Sequence, residues 1–108
     1  MKTSLIVTIV HKGWGSTVLE ASVAAGARGS TVLGGRGAGI NEKEKIFGVA
    51  IEPEKEIVLT LVPAARADDI LAAIVQATDL DETGRGIAFV LPVDKVVGEA
   101  HLHGPSAR

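Results

Sequence analysis

Two short stretches combine an arginine with closely spaced glycines. "LGGRGAG" (33–39) carries Arg36 among four glycines in seven residues, and "TGRG" (83–86) carries Arg85. Glycine buries no side chain and loses the most backbone freedom on folding, so such runs need a reason. One reason is chemical: clustered glycines let backbone N–H groups converge on an anion, and a guanidinium beside them binds phosphate through paired hydrogen bonds. The other is a plain connecting turn. Neither stretch is a phosphate motif by itself. No GxxxxGK[ST] occurs, and "GGRGAG" runs into "INEKEK" and strand-like sequence, whereas a dinucleotide fingerprint opens a helix.

Other chemistry is sparse. His101 and His103 form an i, i+2 pair that an extended segment would place on one face, but two histidines in a small polar tail read as non-ligating, and no metal site is expected. Asp68 and Asp69 fall in the first turn of an expected helix, where negative charge suits the dipole. Asp79, Asp81 and Glu82 read as a solvated acidic loop. Trp14, flanked by glycines in "KGWGS", is expected to cap the core or fill an interface. No nucleophile has a recognisable base nearby, so no catalytic residue is assigned. The absence of cysteine excludes disulfides and thiolate sites. A net charge of −2 and three aromatic residues give no basic patch and no stacking platform for nucleic acid. The apolar start "SLIVTIV" is too short to cross a bilayer, and a cytoplasmic protein is expected.

The elements that must carry these loops follow from the apolar pattern. Residues 3–10 are β-branched and almost continuously apolar, a strand buried on both faces. A helix is expected from Ser16 or Thr17, where Thr17 and Glu20 have capping-box spacing, with an apolar face of Val18, Leu19, Ala21, Val23 and Ala25 interrupted by Ser22, ending at Gly26. A second strand is expected at 30–33, then the glycine run, a charged excursion with a short strand in "IFGVAI", and a turn in "EPEKE". Residues 57–62 form another strand, ended by Pro63. "ADDILAAIVQAT" has helical spacing, and a last strand covers 87–91. The order is that of a ferredoxin-like βαββαβ α+β sandwich. Two helices cover only one face of such a sheet, yet the strands are apolar on both, so an oligomer packed through its sheets is expected.

"GARGSTV" opening the second strand and "TGRGIAFVLPVDKVVG" closing the domain resemble the PII signalling proteins, over residues 1–98 with 99–108 as a tail. The resemblance implies a homotrimer that binds an adenine nucleotide (AMP, ADP or ATP) in clefts between subunits, with no required cofactor. By position, Gly29, Ser30 and Thr31 fall where the family contacts the adenine base, with Leu61, Val62 and Pro63 on the strand end beside it. Gly84, Arg85, Gly86 and Ile87 match the phosphate-binding loop. Gly37, Ala38 and Gly39, next to Arg36, match the base of the mobile T-loop, the excursion over about 36–56. Ile87 stands where the family places a lysine, Asn41 replaces the glutamine that helps hold metal and 2-oxoglutarate, and no tyrosine is available for modification. With fewer cations, triphosphate binding is expected to weaken most.

The function so implied is non-enzymatic: small-molecule sensing, with the excursion regulating a partner such as a membrane transporter. The competing readings are a small enzyme at the same cleft and a metal-tolerance trimer of the same fold.

Overall fold

The structure is a computed structural model that describes residues 2–38, 44–46 and 49–98. Gly39, Asn41, the histidine pair and the rest of the 99–108 tail lie outside the described residues. The elements are β1 (Thr3–His11), α1 (Gly15–Ala24), β2 (Ser30–Arg36), β3 (Glu44–Ile46), β4 (Val49–Ile51), β5 (Glu54–Pro63), α2 (Ala67–Thr78) and β6 (Gly86–Val93). A 3-10 turn, Ala64–Arg66, joins β5 to α2. The main sheet has the order β2-β5-β1-β6, with every neighbouring pair antiparallel. β3 and β4 pair separately as a small hairpin within the excursion.

Alternation along the strands sorts their side chains onto two faces. Ile6, Thr8 and Val10 of β1 and Val58, Thr60 and Val62 of β5 are buried and face the helices. Against them pack Val18 of α1 and Ile70 and Ile74 of α2, whose i, i+4 spacing puts both on one face. Leu5, Val7 and Ile9 point to the other face in register with Leu61, Leu59 and Ile57 of β5 and with Leu91, Phe89 and Ile87 of β6. On the chain alone this second face is open: Ile87 is 56% exposed, Leu91 45% and Phe89 40%.

Four expectations change. α1 begins at Gly15 with Trp14 as its N-cap and no side-chain cap bond, so the Thr17–Glu20 box is unused. The carboxylate of Glu56 takes that role, accepting from the N–H groups of Gly13 (2.9 Å) and Gly15 (2.8 Å). The buried face of α1 is Gly15, Val18 and Ser22, while Val23 is exposed; the Ser22 hydroxyl can be buried because it donates back to Leu19 O at 2.8 Å. β2 runs on through Gly34 and Gly35 to Arg36. Glu54, Lys55 and Glu56, read as part of a turn, are the strand residues that pair with these three. The excursion holds two short strands where one was expected.

Other ends are as the sequence suggests. Gly26 (φ +114) terminates α1, and a Cβ there would press on the guanidinium of Arg66, whose Nη2 donates to Ala25 O at 2.7 Å. Asp68 and Asp69 lie in the first turn of α2, and Asp79 closes that helix in the left-handed conformation.

Candidate functional site

Antiparallel pairing brings four strand ends to one edge of the domain. Gly34 of β2, Glu56 of β5, Val10 of β1 and Gly86 of β6 form one cross-strand row, with Gly35, Lys55 and His11 in the next and Arg36 opposite Glu54 beyond it. Both arginine–glycine stretches therefore reach the same end of the sheet, on opposite edges, separated by three strand spacings or about 14 Å.

The 84–86 loop takes its shape from its two glycines. Gly84 (φ +83) and Gly86 (φ +143) occupy backbone regions that side chains disfavour, and a Cβ on Gly86 would fall inside the contact distance of the Ile9 carbonyl oxygen. The Gly84 carbonyl is 2.9 Å from Nε2 of His11, and the Arg85 N–H bonds Glu82 O at 3.3 Å. The Arg85 guanidinium lies 5.8 Å above the Trp14 ring, with its Nε 3.7 Å from a Glu82 carboxylate oxygen. Both contacts are surface contacts, each worth about 1 kcal/mol or less, so the cation stays available to a stronger anion. Gly86 and Ile87, with Val75, Leu80, Asp81 and Ala88, line a cleft of about 260 Å³ beside the loop.

The β1–α1 turn packs between this loop and the start of β5. Besides the Glu56 bonds, Lys12 N–H donates to Glu54 O (3.2 Å), and Lys12 Nζ pairs with the Glu54 carboxylate at 3.0 Å. That hydrogen bond, reinforced by the charge of Glu54, holds the Lys12 pKa above its usual 10.5. On the far edge, Gly37 N–H bonds Pro53 O at 3.2 Å, closing the base of the excursion beside Arg36 and Ala38, both exposed.

The remaining candidates lie further down β2 and β5. Thr31 pairs with Leu59 on the open face, and Leu61 and Pro63 follow on the same side. The Val62 side chain is fully buried in the core. Ser30 faces the helices: its hydroxyl is 2.8 Å from Thr60 Oγ1 and 3.2 Å from Ser22 Oγ. A hydroxyl has one proton. Since Ser22 gives its own to Leu19 O, Ser30 must donate to Ser22 and Thr60 to Ser30. The proton of Ser30 is thus committed inward, and a ligand beside Ser30 meets the β2 backbone edge and Gly29, which has open space around it. One chain brings the 84–87 residues together and sets Arg36, Gly37 and Ala38 at the opposite edge; it does not bring the two groups into contact.

Sequence reasoning passed over His11, Lys55 and Glu56, which tie the turn, the loop and β5 together. The available signal, for Glu56 alone, was Gly15: a Cβ there would sit 2.8 Å from Glu56 Oε1 and 3.0 Å from Val32 Cγ1. Among the described residues no group of three or more His, Cys, Asp or Glu could hold a metal ion. No described helix is long and apolar enough to cross a membrane.

A four-stranded antiparallel sheet with two helices on one face and glycine loops at one end defines a ferredoxin-like α+β domain. The chain belongs to the family described as Nitrogen regulatory protein P-II, which it matches over residues 3–98. Members are typically trimers, generally non-enzymatic, that bind effectors and regulate partner proteins. Among solved structures it is similar to Arabidopsis thaliana PII bound to citrate, with 26% identity and a TM-score of 0.67 over 85% of this chain and 78% of that one. A Bacillus cereus protein related to NIF3 shares the fold, with 20% identity and a TM-score of 0.67 over 87% of this chain; the match spans about a quarter of that protein (26%). No curated protein matches the chain.

Proposed function

We propose that this chain is a cytoplasmic, non-enzymatic sensor that binds an adenine nucleotide (AMP, ADP or ATP) between subunits of a homotrimer and regulates a partner protein, such as a membrane transporter, through the 36–56 excursion. The observation that carries the reading is the 84–86 loop. Its two positive-φ glycines hold backbone and the Arg85 cation at the sheet end, against neighbours weak enough for an anionic ligand to displace. The second arginine–glycine stretch lies on the opposite edge, so a cleft using both draws them from neighbouring subunits. The open apolar sheet face is the surface through which such subunits would pack. That Arabidopsis PII holds citrate supports an anionic effector on this scaffold. With Ile87 in place of the family's lysine, AMP and ADP are favoured over ATP.

Calorimetric titration with the three nucleotides tests the reading. Saturable binding that weakens roughly 10- to 100-fold in Arg85→Ala, the loss of one charge-assisted contact, is expected. No binding of any of the three, or binding indifferent to Arg85, refutes it. Sedimentation as a monomer at micromolar concentration refutes the shared cleft.

A further inference from the structure

One side chain spans the gap between the 84–86 loop and β5. His11 closes β1, and its direct cross-strand neighbour is Lys55, the second residue of β5 and almost wholly buried. Nε2 of the imidazole lies 2.9 Å from the Gly84 carbonyl oxygen, and Nδ1 lies 3.5 Å from Lys55 Nζ. A carbonyl oxygen only accepts, so Nε2 carries the ring proton. Nδ1 then offers a lone pair, and the Lys55 ammonium donates to it. One tautomer satisfies both neighbours, and the opposite one would set an N–H against an ammonium. The Gly84 carbonyl is itself aimed by a backbone at φ +83 that glycine adopts freely. Any ligand that rotates the 84–85 peptide unit therefore moves the acceptor of the His11 bond.

We propose that His11 is a positioning residue that couples occupancy of the 84–86 loop to the Lys55 end of β5, the strand that follows the excursion. The inference rests on the nucleotide-sensor reading above. An anion drawn to Arg85 and the adjacent N–H groups reorients the Gly84 carbonyl, the imidazole follows, and the contact with Lys55 lengthens or tightens with it.

Two substitutions separate the halves of this link. In His11→Gln the side-chain amide nitrogen reaches the place of Nε2, which keeps the Gly84 bond and gives up Lys55. In His11→Asn the side-chain oxygen takes the place of Nδ1, which keeps Lys55 and gives up Gly84. With the full-length protein and ADP as probe, affinity is read by calorimetry and the response of β5 by hydrogen exchange of the 54–56 amides. ADP is expected to change that exchange in the wild type. His11→Asn should bind ADP roughly two- to tenfold more weakly, the loss of one neutral hydrogen bond. His11→Gln should bind within about twofold of wild type, since it retains that bond, while its 54–56 amides no longer respond.

Wild-type behaviour of both variants overturns the coupling and leaves the sensor reading intact. Equal losses in both, in step with a lower unfolding temperature, make His11 a purely structural residue and also overturn it. Nitrogen NMR of the ligand-free protein gives an arm independent of nucleotide: a proton on Nδ1 overturns the proposal whatever ADP does. Failure of the wild type to bind any of the three nucleotides removes the sensor reading, and the coupling with it.

Discussion

Gly86→Ala is the substitution on which the site geometry is most exposed to refutation. Two costs add there. The backbone sits at φ +143, where an L side chain is strained by about 1–3 kcal/mol. The new Cβ also meets the Ile9 carbonyl, a backbone atom fixed in β1, with Leu80 Cδ1 3.1 Å away on the other side. Relief requires the first residues of β6 to peel from β1, breaking the Val10–Gly86 end of the ladder at about 1 kcal/mol. The sum is about 2–4 kcal/mol. Gly84→Ala carries the backbone term alone, since φ is +83 and nothing lies within 4 Å, so about 1–2 kcal/mol is expected. Gly37→Ala has open space and no positive φ, and should be neutral or stabilising by up to about 1 kcal/mol. Urea unfolding of the three variants and wild type at one protein concentration gives the ranking, concentration being fixed because assembly contributes to stability. If Gly86→Ala lies within about 0.5 kcal/mol of wild type, or above Gly84→Ala, the close approach of β1 to the loop is wrong.

Thr8 and Thr60 are both fully buried on the helix-facing side, but only Thr60 is hydrogen-bonded; Thr8 Oγ1 finds no partner among the described residues. Thr8→Val should therefore stabilise by about 1 kcal/mol and Thr60→Val destabilise by about 1–2 kcal/mol, and equal signs in urea melts would contradict the hydroxyl relay. Glu56→Ala strands the N–H groups of Gly13 and Gly15 and should cost about 2 kcal/mol, with Glu56→Gln recovering part of it. Because the Lys12 pKa is raised in the fold, its pairing with Glu54 is fully present below pH 10.5 and is lost as the pH climbs through the folded value. Melts of wild type and Lys12→Met should accordingly converge above that pH, and a gap that persists there rejects the pairing. Trp14 is the single tryptophan, so Arg85→Ala should change its emission in ligand-free protein, and an unchanged spectrum would mean that the two do not touch.

The framework of the fold was legible because its strands are apolar on both faces and its helix α2 keeps strict i, i+4 spacing through Ile70 and Ile74. What misled was glycine. Gly34 and Gly35 read as loop, yet they continue β2, because an edge strand needs a partner on one side only, and the backbone of Glu56 and Lys55 supplies it. The missing side chain at Gly35 leaves room for Ile57 Cδ1, 3.0 Å from where a Cβ would stand. The start of α1 misled for a related reason. Local spacing favoured Thr17, but a carboxylate from β5, some forty residues away in sequence, binds the N–H groups of Gly13 and Gly15 about one turn earlier, and no local pattern records that.

The site divides along the same line. Arg85 and the glycines beside it were visible because a cation set among positive-φ glycines is a local signature. Ser30 was visible only as a position in a family pattern, and which way its hydroxyl points is decided by Ser22 and Thr60, each on another element. His11 and Glu56 left almost no trace, since both bind backbone atoms, and a backbone atom imposes no residue type on its partner. Their one mark on the receiving side is Gly15, where a Cβ would stand 2.8 Å from Glu56 Oε1, whereas Gly13 (φ +98) and Gly84 (φ +83) have open space there and are set apart by their backbone alone. A glycine therefore marks either a backbone conformation that side chains disfavour or, as at Gly15, a surface that is approached, and the approaching group is found from the pairing of strands. In this chain that pairing sets His11 beside Lys55 at the end of the sheet where the 84–86 loop begins.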